Sequence, residues 1–152
     1  MESKRSCGGR VVLCALMLVL VFSVMSCGKK GDPIYPRVVY PDAVSDLGVT
    51  LRDGGMELAW NLPTEGGEIA RVRIFKSEVS LGGTFCATCP RTYTLAGEFS
   101  YADPILSKQG DGTMGYRDGE IRKGHLYSYR VQLCTSPDVC SEESNVAEAR
   151  YE

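Results

Sequence analysis

The sequence holds one histidine and one tryptophan, no excess of basic charge, and no apolar run long enough to span a bilayer comfortably. Its 17 Lys and Arg face 19 Asp and Glu, a formal −2, so the electrostatic footprint of a nucleic-acid binder is missing and no DNA or RNA partner is expected. His125, the lone histidine, has no obvious partner for Ser-His-Asp or Cys-His catalysis. Acidic residues are scattered without the spacing of a calcium loop. Gly110-Asp111-Gly112-Thr113-Met114-Gly115 spells out G-x-G-x-x-G, yet that pattern cradles phosphate only between a strand and a helix, and its neighbours here fit neither role. The residues therefore propose no catalytic site, metal or small-molecule cofactor. What is there, 152 residues at 43% hydrophobic and 24% charged with 17 Gly and 7 Pro, fits one globular unit and excludes collagen, coiled coil and low-complexity sequence.

The first segment stands apart from that unit. Lys4, Arg5 and Arg10 precede an uncharged run from Val11 to Ser26, the basic and apolar regions of an export signal. The run closes on Val24-Met25-Ser26-Cys27, small residues beside a cysteine, and Gly28-Lys29-Lys30 follow at once. This resembles the lipobox of bacterial lipoproteins. The resemblance implies a signal peptide over residues 1–26, diacylglycerol on Cys27 with cleavage before it, and N-acylation of the new terminus. It also implies an outer-membrane location, because Gly28 stands where an Asp would retain the protein at the inner membrane, and the domain is expected to face the periplasm. The alternative is an uncleaved anchor helix with an incidental cysteine. Removing residues 1–26 takes away three basic residues and one acidic one, so the mature chain is mildly acidic.

Residues 27–41 contain Gly31, Pro33, Pro36 and Pro41, which disfavour helix and give an extended tether reaching at most about 50 Å. Its opening, Cys27-Gly28-Lys29-Lys30-Gly31-Asp32-Pro33-Ile34-Tyr35-Pro36, is similar to the mature N-terminus of the LptM family, small lipoproteins associated with the lipopolysaccharide-insertion translocon. The shared part is Cys-Gly-x-Lys-Gly and a later proline. Asp32 stands where that family usually has Pro, and Pro33 and Tyr35 fall one place late. The similarity implies docking to an envelope assembly complex; the alternative is a generic spacer.

From residue 42 to 152, apolar side chains recur at every second position and no stretch of a dozen residues keeps a helical period. Met56, Leu58, Trp60 and Leu62 alternate with polar or small residues, as do Ala70, Val72 and Ile74, and Tyr127, Tyr129, Val131 and Leu133. Asp53-Gly54-Gly55, Glu65-Gly66-Gly67, Gly82-Gly83, Asp111-Gly112 and Asp118-Gly119 punctuate the runs with residues that accept positive φ. Short alternating strands with such turns predict an all-β antiparallel sandwich or barrel.

At these residues the chain resembles a fibronectin type III domain. The resemblance implies an immunoglobulin-like sandwich of about seven strands. Pro41 to Val49 would be strand A, Met56 to Pro63 strand B, Ile69 to Ser77 strand C, and Tyr93 to Phe99 strand C′. Tyr116-Arg117-Asp118 leads through strand E to strand F at Tyr127, the tyrosine-corner position, and Ser144 to Ala147 opens strand G. The departures are an insertion from Ser80 to Arg91 and extra cysteines. Trp60, Tyr127, Tyr129 and Val131 are assigned to the core.

Four cysteines besides Cys27 follow the leader: Cys86, Cys89, Cys134 and Cys140, which allow three pairings. Strands alternate in direction, so in a sandwich of this kind the insertion and the F–G hairpin lie at opposite poles, roughly 26 Å apart for an eight-residue strand. Disulfide Cα atoms lie within about 7 Å, which favours Cys86–Cys89 and Cys134–Cys140. Crossed bonds, or a four-cysteine zinc site, would require the insertion to fold along the whole domain. Cys86-Ala87-Thr88-Cys89 also has the C-x-x-C spacing of thiol–disulfide exchange, although the βαβ setting of such proteins is absent.

Two classes of function follow. One is a non-enzymatic, membrane-anchored binding or scaffolding module with a protein or glycan partner in the cell envelope, touching it through the B–C loop (Thr64 to Glu68) and the F–G loop (Thr135 to Val139). The other is a thiol–disulfide or metal-handling protein built on Cys86 and Cys89.

Overall fold

The computed structural model describes Gly31 and residues 38–64, 67–83, 85–135 and 139–152. The signal segment, Cys27 and most of the tether lie outside the described residues. The chain divides into Met1–Pro36 and Arg37–Glu152, and the second unit holds every strand below.

Nine strands form among the described residues, with no helix. They are β1 (Gly48–Arg52), β2 (Gly55–Asn61), β3 (Arg71–Ser80), β4 (Thr94–Ser100), β5 (Leu106–Lys108), β6 (Thr113–Asp118), β7 (His125–Thr135), β8 (Val139–Cys140) and β9 (Ala147–Tyr151). One sheet runs β1-β2-β6-β5; the other runs β4-β3-β7, with β8 and β9 sharing the far side of β7. All pairings are antiparallel. Two such sheets burying one face each make a sandwich.

The alternation explains the faces. Met56, Leu58 and Trp60 on β2 and Met114 on β6 point inward from one sheet; Val72 and Ile74 on β3 and Tyr127, Tyr129, Val131 and Leu133 on β7 point inward from the other. All are at most 2% exposed. The β1–β2 turn is Asp53-Gly54, with φ of 48° and 71°, the double positive φ of a type I′ hairpin matching the twist of its strands.

Three differences from the expected strands have local causes. The segment before β1 joins no ladder, although Val44 and Leu47 are buried. Instead Asn145 offers its amide to both sides of Leu47, Oδ1 accepting from Leu47 N–H and Nδ2 donating to Leu47 C=O, each at 2.9 Å. A side chain here replaces a backbone partner. Second, β5 adds a three-residue edge beside β6, so strands outnumber the seven expected. Third, strand G is interrupted. Between β8 and β9 the hydroxyls of Ser141 and Ser144 accept the β7 N–H groups of Leu133 and Val131 at 3.1 and 2.9 Å, and the register slips by two residues across the gap.

Candidate functional site

One pole of the sandwich gathers the entering chain, the B–C loop, the β5–β6 turn and the base of the F–G hairpin. Asp46 ties the entering chain to the end of β2, accepting from Asn61 N–H at 3.1 Å and Asn61 Nδ2 at 2.7 Å. Thr113 Oγ1 donates to Asn61 Oδ1 at 2.9 Å, and Leu62 N–H bonds Gly112 C=O at 3.3 Å, which brings the β5–β6 turn alongside. That turn contains Gly110 and Gly112 of the G-x-G-x-x-G string, whose third glycine, Gly115, lies within β6: the string is a hairpin turn running into a strand. A recess of about 350 Å³ opens between Asp42–Asp46 and Asn61–Thr64.

The F–G hairpin is fixed at its base. Cys134 and Cys140 face each other directly in the β7–β8 register and are joined by a disulfide. Ala70 N–H donates to Cys134 C=O at 2.8 Å, so the end of the B–C loop is stitched to the same point, and a Cβ on Gly67 would stand 3.9 Å from Thr135 Cγ2. Asp42, Asp46, Glu68 and Asp111 are all exposed around this pole. The Asp111 carboxyl is held below the usual aspartate range, chiefly by the Thr113 backbone N–H it accepts.

The opposite pole carries the insertion. β3 begins opposite Cys134 and ends opposite His125, so the insertion starts about 30 Å from the F–G disulfide. Cys86 and Cys89 are joined to each other there. Arg91 fastens the loop: its guanidinium donates to Cys86 C=O at 3.1 Å and Ala87 C=O at 3.2 Å, faces Glu148 on β9 at 3.7 Å, and lies 5.7 Å from the Phe85 ring centre. His125 contributes to a corner rather than to a triad. Nδ1 bonds Lys123 C=O at 2.9 Å and Nε2 lies 3.5 Å from Glu78, which also binds Arg122 at 2.7 Å. Tyr127 completes this corner, accepting from Arg122 N–H at 2.7 Å, the backbone bond of a tyrosine corner. Burial raises the Glu78 carboxyl, but the bonds from Arg122 and Tyr127 outweigh it and hold the group below its ordinary value.

Sequence reading missed a charged cluster between the sheets. Lys76 on β3 reaches Asp118 at the end of β6 at 2.6 Å, and Tyr129 Oη on β7 donates to the same carboxylate at 2.7 Å. Burial, then the Asp118 bond, pushes the Tyr129 phenol far above its usual range. The available signal was Lys76 itself, a charge on the inward phase of a strand whose neighbours Val72 and Ile74 are core. Among the described residues no group of three His, Cys, Asp or Glu side chains is placed to hold a metal.

No family model matches the chain, nor does any curated protein sequence. Among solved structures, the third fibronectin III domain of human KIAA0343 protein superposes with a TM-score of 0.51 at 13% identity, over 82% of this chain and 93% of that one. Pectate lyase Pel3 from Pectobacterium carotovorum gives 0.48 at 18% identity over 71% of this chain. Pectate lyase PelI from Erwinia chrysanthemi in complex with tetragalacturonic acid gives 0.45 at 16% over 68%. The chain spans only about a quarter of the length of either lyase: 26% and 27%. The fold is an immunoglobulin-like sandwich of the fibronectin type III kind.

Proposed function

We propose that this chain is a lipid-anchored, non-enzymatic binding or scaffolding module of the bacterial cell envelope. It is acylated on Cys27, sits at the outer membrane facing the periplasm, and recognises a protein or glycan through its B–C and F–G loops. The observation that carries the reading is the bracing of that pole: the Cys134–Cys140 bond and the Ala70–Cys134 hydrogen bond join the bases of the two loops on the sandwich, residues 65–66 and 136–138 lying outside the described residues. Loops on a fixed scaffold are where binding surfaces concentrate. An envelope assembly complex is one partner that the Cys27 to Pro36 similarity suggests.

Site-specific photocrosslinking in cells tests it. Probes at Thr64, Glu68 and Thr135 should capture a defined partner, and a probe at Leu51 should not. Crosslinks confined to the tether would replace loop recognition by tether docking. A second reading, thiol–disulfide or metal handling, draws support from the exposure of Cys89 in a C-x-x-C bridge. Thiol titration and metal analysis of protein purified from the envelope decide it: free Cys86 and Cys89, or bound metal, would favour that reading over the module.

A further inference from the structure

Val38, Val39 and Tyr40 are 49%, 61% and 64% exposed, and the next residue, Pro41, is buried against the sandwich. Isolated exposed apolar residues are ordinary on any protein, but contiguous ones mark a contact surface. These three do not belong to the core, which takes its first side chains from Val44 and Leu47.

We infer that Val38–Tyr40 is an interfacial seat: it inserts into the headgroup layer of the bilayer that holds the Cys27 acyl chains. The inference rests on the lipid anchor of the proposed function and deepens it. Three observations select a bilayer as the occupant. The first is reach. Val38 lies eleven residues beyond Cys27, so the segment is held within about 40 Å of the membrane at full extension. The second is charge. The intervening residues carry Lys29, Lys30 and Arg37 against Asp32, a basic stretch in an otherwise acidic mature chain, and basic residues next to a surface are drawn to anionic headgroups. The third is chemistry. Two valines bring apolar area, while a tyrosine places a ring and a hydroxyl where hydrocarbon meets water, its favoured depth in membranes.

The same geometry limits the contact. Asp42, Asp46, Glu68 and Asp111 surround the pole that begins where this segment ends, and an anionic surface repels them. Insertion is confined to the three residues, and the B–C and F–G loops stay clear of lipid and open to a partner.

The test uses the full chain matured in cells, carrying Val39→Trp, reconstituted in vesicles of phosphatidylethanolamine and phosphatidylglycerol with brominated acyl chains. The added indole should be quenched at least twofold more than Trp60 of the unsubstituted protein, which is buried and serves as the baseline. Replacing phosphatidylglycerol by phosphatidylcholine should weaken that quenching. Tyr40→Trp repeats the measurement if the first variant expresses poorly. Unquenched emission from a chain that mass spectrometry shows to be acylated overturns the seat and leaves the anchor standing. A chain without acylation overturns both. A photoprobe at Val39 that captures an envelope protein instead of lipid overturns the seat in favour of protein docking.

Discussion

Asp118→Asn removes one charge from the cluster that bridges the two sheets, and its cost can be worked from the contacts. Asp118 is 5% exposed; its carboxylate takes Lys76 Nζ at 2.6 Å, Tyr129 Oη at 2.7 Å and Glu120 N–H at 2.9 Å. Removing one partner of a buried ion pair costs about 3–5 kcal/mol, because the other charge stays desolvated. Lys76 is not wholly abandoned: it keeps Glu120 C=O at 2.7 Å, lies 4.9 Å from the Tyr127 ring centre, and its side chain is 15% exposed. That places the loss near the low end, about 3 kcal/mol. The asparagine oxygen can keep only one of the two neutral donors, Glu120 N–H or Tyr129 O–H, which adds about 1 kcal/mol. The total is a large share of the roughly 5–15 kcal/mol that stabilises a domain. Urea unfolding followed by Trp60 emission should show the midpoint falling by about 1.3–4 M with the slope unchanged, about 4 kcal/mol over a slope of about 1–3 kcal/mol/M. Lys76→Met should cost a similar amount, and the double variant should cost less than the two singles together, with a coupling of about 1–3 kcal/mol. A loss under about 1 kcal/mol, or additive singles, would refute the argument that this pair fastens the sheets.

Three further outcomes are expected. Trp60→Ala should cost about 3–5 kcal/mol and leave little folded protein; Trp60→Phe should cost less, since the buried indole N–H has no hydrogen-bond partner among the described residues to lose, and a cooperative Trp60→Ala melt matching wild type would remove Trp60 from the core. The Glu78 carboxyl is held below its ordinary 4.5, so its contribution to stability is complete above pH 4.5 and drains away as pH falls through the lower folded value. Glu78→Gln should flatten the acid decline of the urea midpoint, and an equally steep decline in the variant would exclude Glu78 as its source. Cys134→Ala with Cys140→Ala should lose about 2 kcal/mol of loop-closure stabilisation, and Cys86→Ala with Cys89→Ala a similar or smaller amount, by differential scanning calorimetry. Only the first pair should also abolish crosslinks from Thr64 and Thr135, and equal effects on crosslinking from both pairs would contradict the assignment of the binding pole.

The sandwich was legible because its central strands carry period-two alternation: Met56, Leu58 and Trp60 of β2, Val72 and Ile74 of β3, and Tyr127, Tyr129, Val131 and Leu133 of β7 lie on the face the structure buries, although the period breaks in β3 at a register shift after Ile74. The edges were not. β5 is three residues long, and only Leu106 of it is buried, too short a run for any period to register. The strand A reading placed residues from Pro41 in the ladder on their likeness to a fibronectin type III domain; Val44 and Leu47, both buried, stand three residues apart, a spacing that period-two alternation does not put on one face. The competitor was Asn145, 98 positions away, whose amide occupies the backbone groups of Leu47. Strand G broke for a similar reason: Ser141 and Ser144 can bond backbone groups locally, so the sequence tolerates a gap that hydrophobic patterning does not reveal. Of the site, strand direction in the sequence favoured the two local cysteine pairs over crossed bonds or a zinc site, and the structure pairs them so. The stitching of Ala70 to Cys134 did not, because it depends on which residues a loop brings alongside.

The interrupted strand G and the Cys134–Cys140 bond belong to one arrangement. β8 pairs with β7 at only two positions, Cys134 with Cys140 and Thr135 with Val139, and the chain then leaves the ladder until Ala147. Two ladder positions next to a hairpin tip would fray on their own, since local stability follows the number of fixed backbone bonds and packed contacts. Across the gap Ser141 and Ser144 hold the chain beside β7 with both their hydroxyls and their N–H groups, which bond Leu133 C=O and Val131 C=O at 2.8 and 2.9 Å, and the register is offset by two residues between β8 and β9, so where the hairpin ends is set at the two β8 pairs. A covalent link at one of those two pairs fixes it. Through the Ala70 hydrogen bond it also fixes the end of the B–C loop. In the proposed binding role, ordering these two loops would therefore cost less conformational entropy than ordering two free ones. The disulfide matters to this pole through the shape it imposes on its neighbours, and the proposed recognition asks nothing of the sulfur chemistry of Cys134.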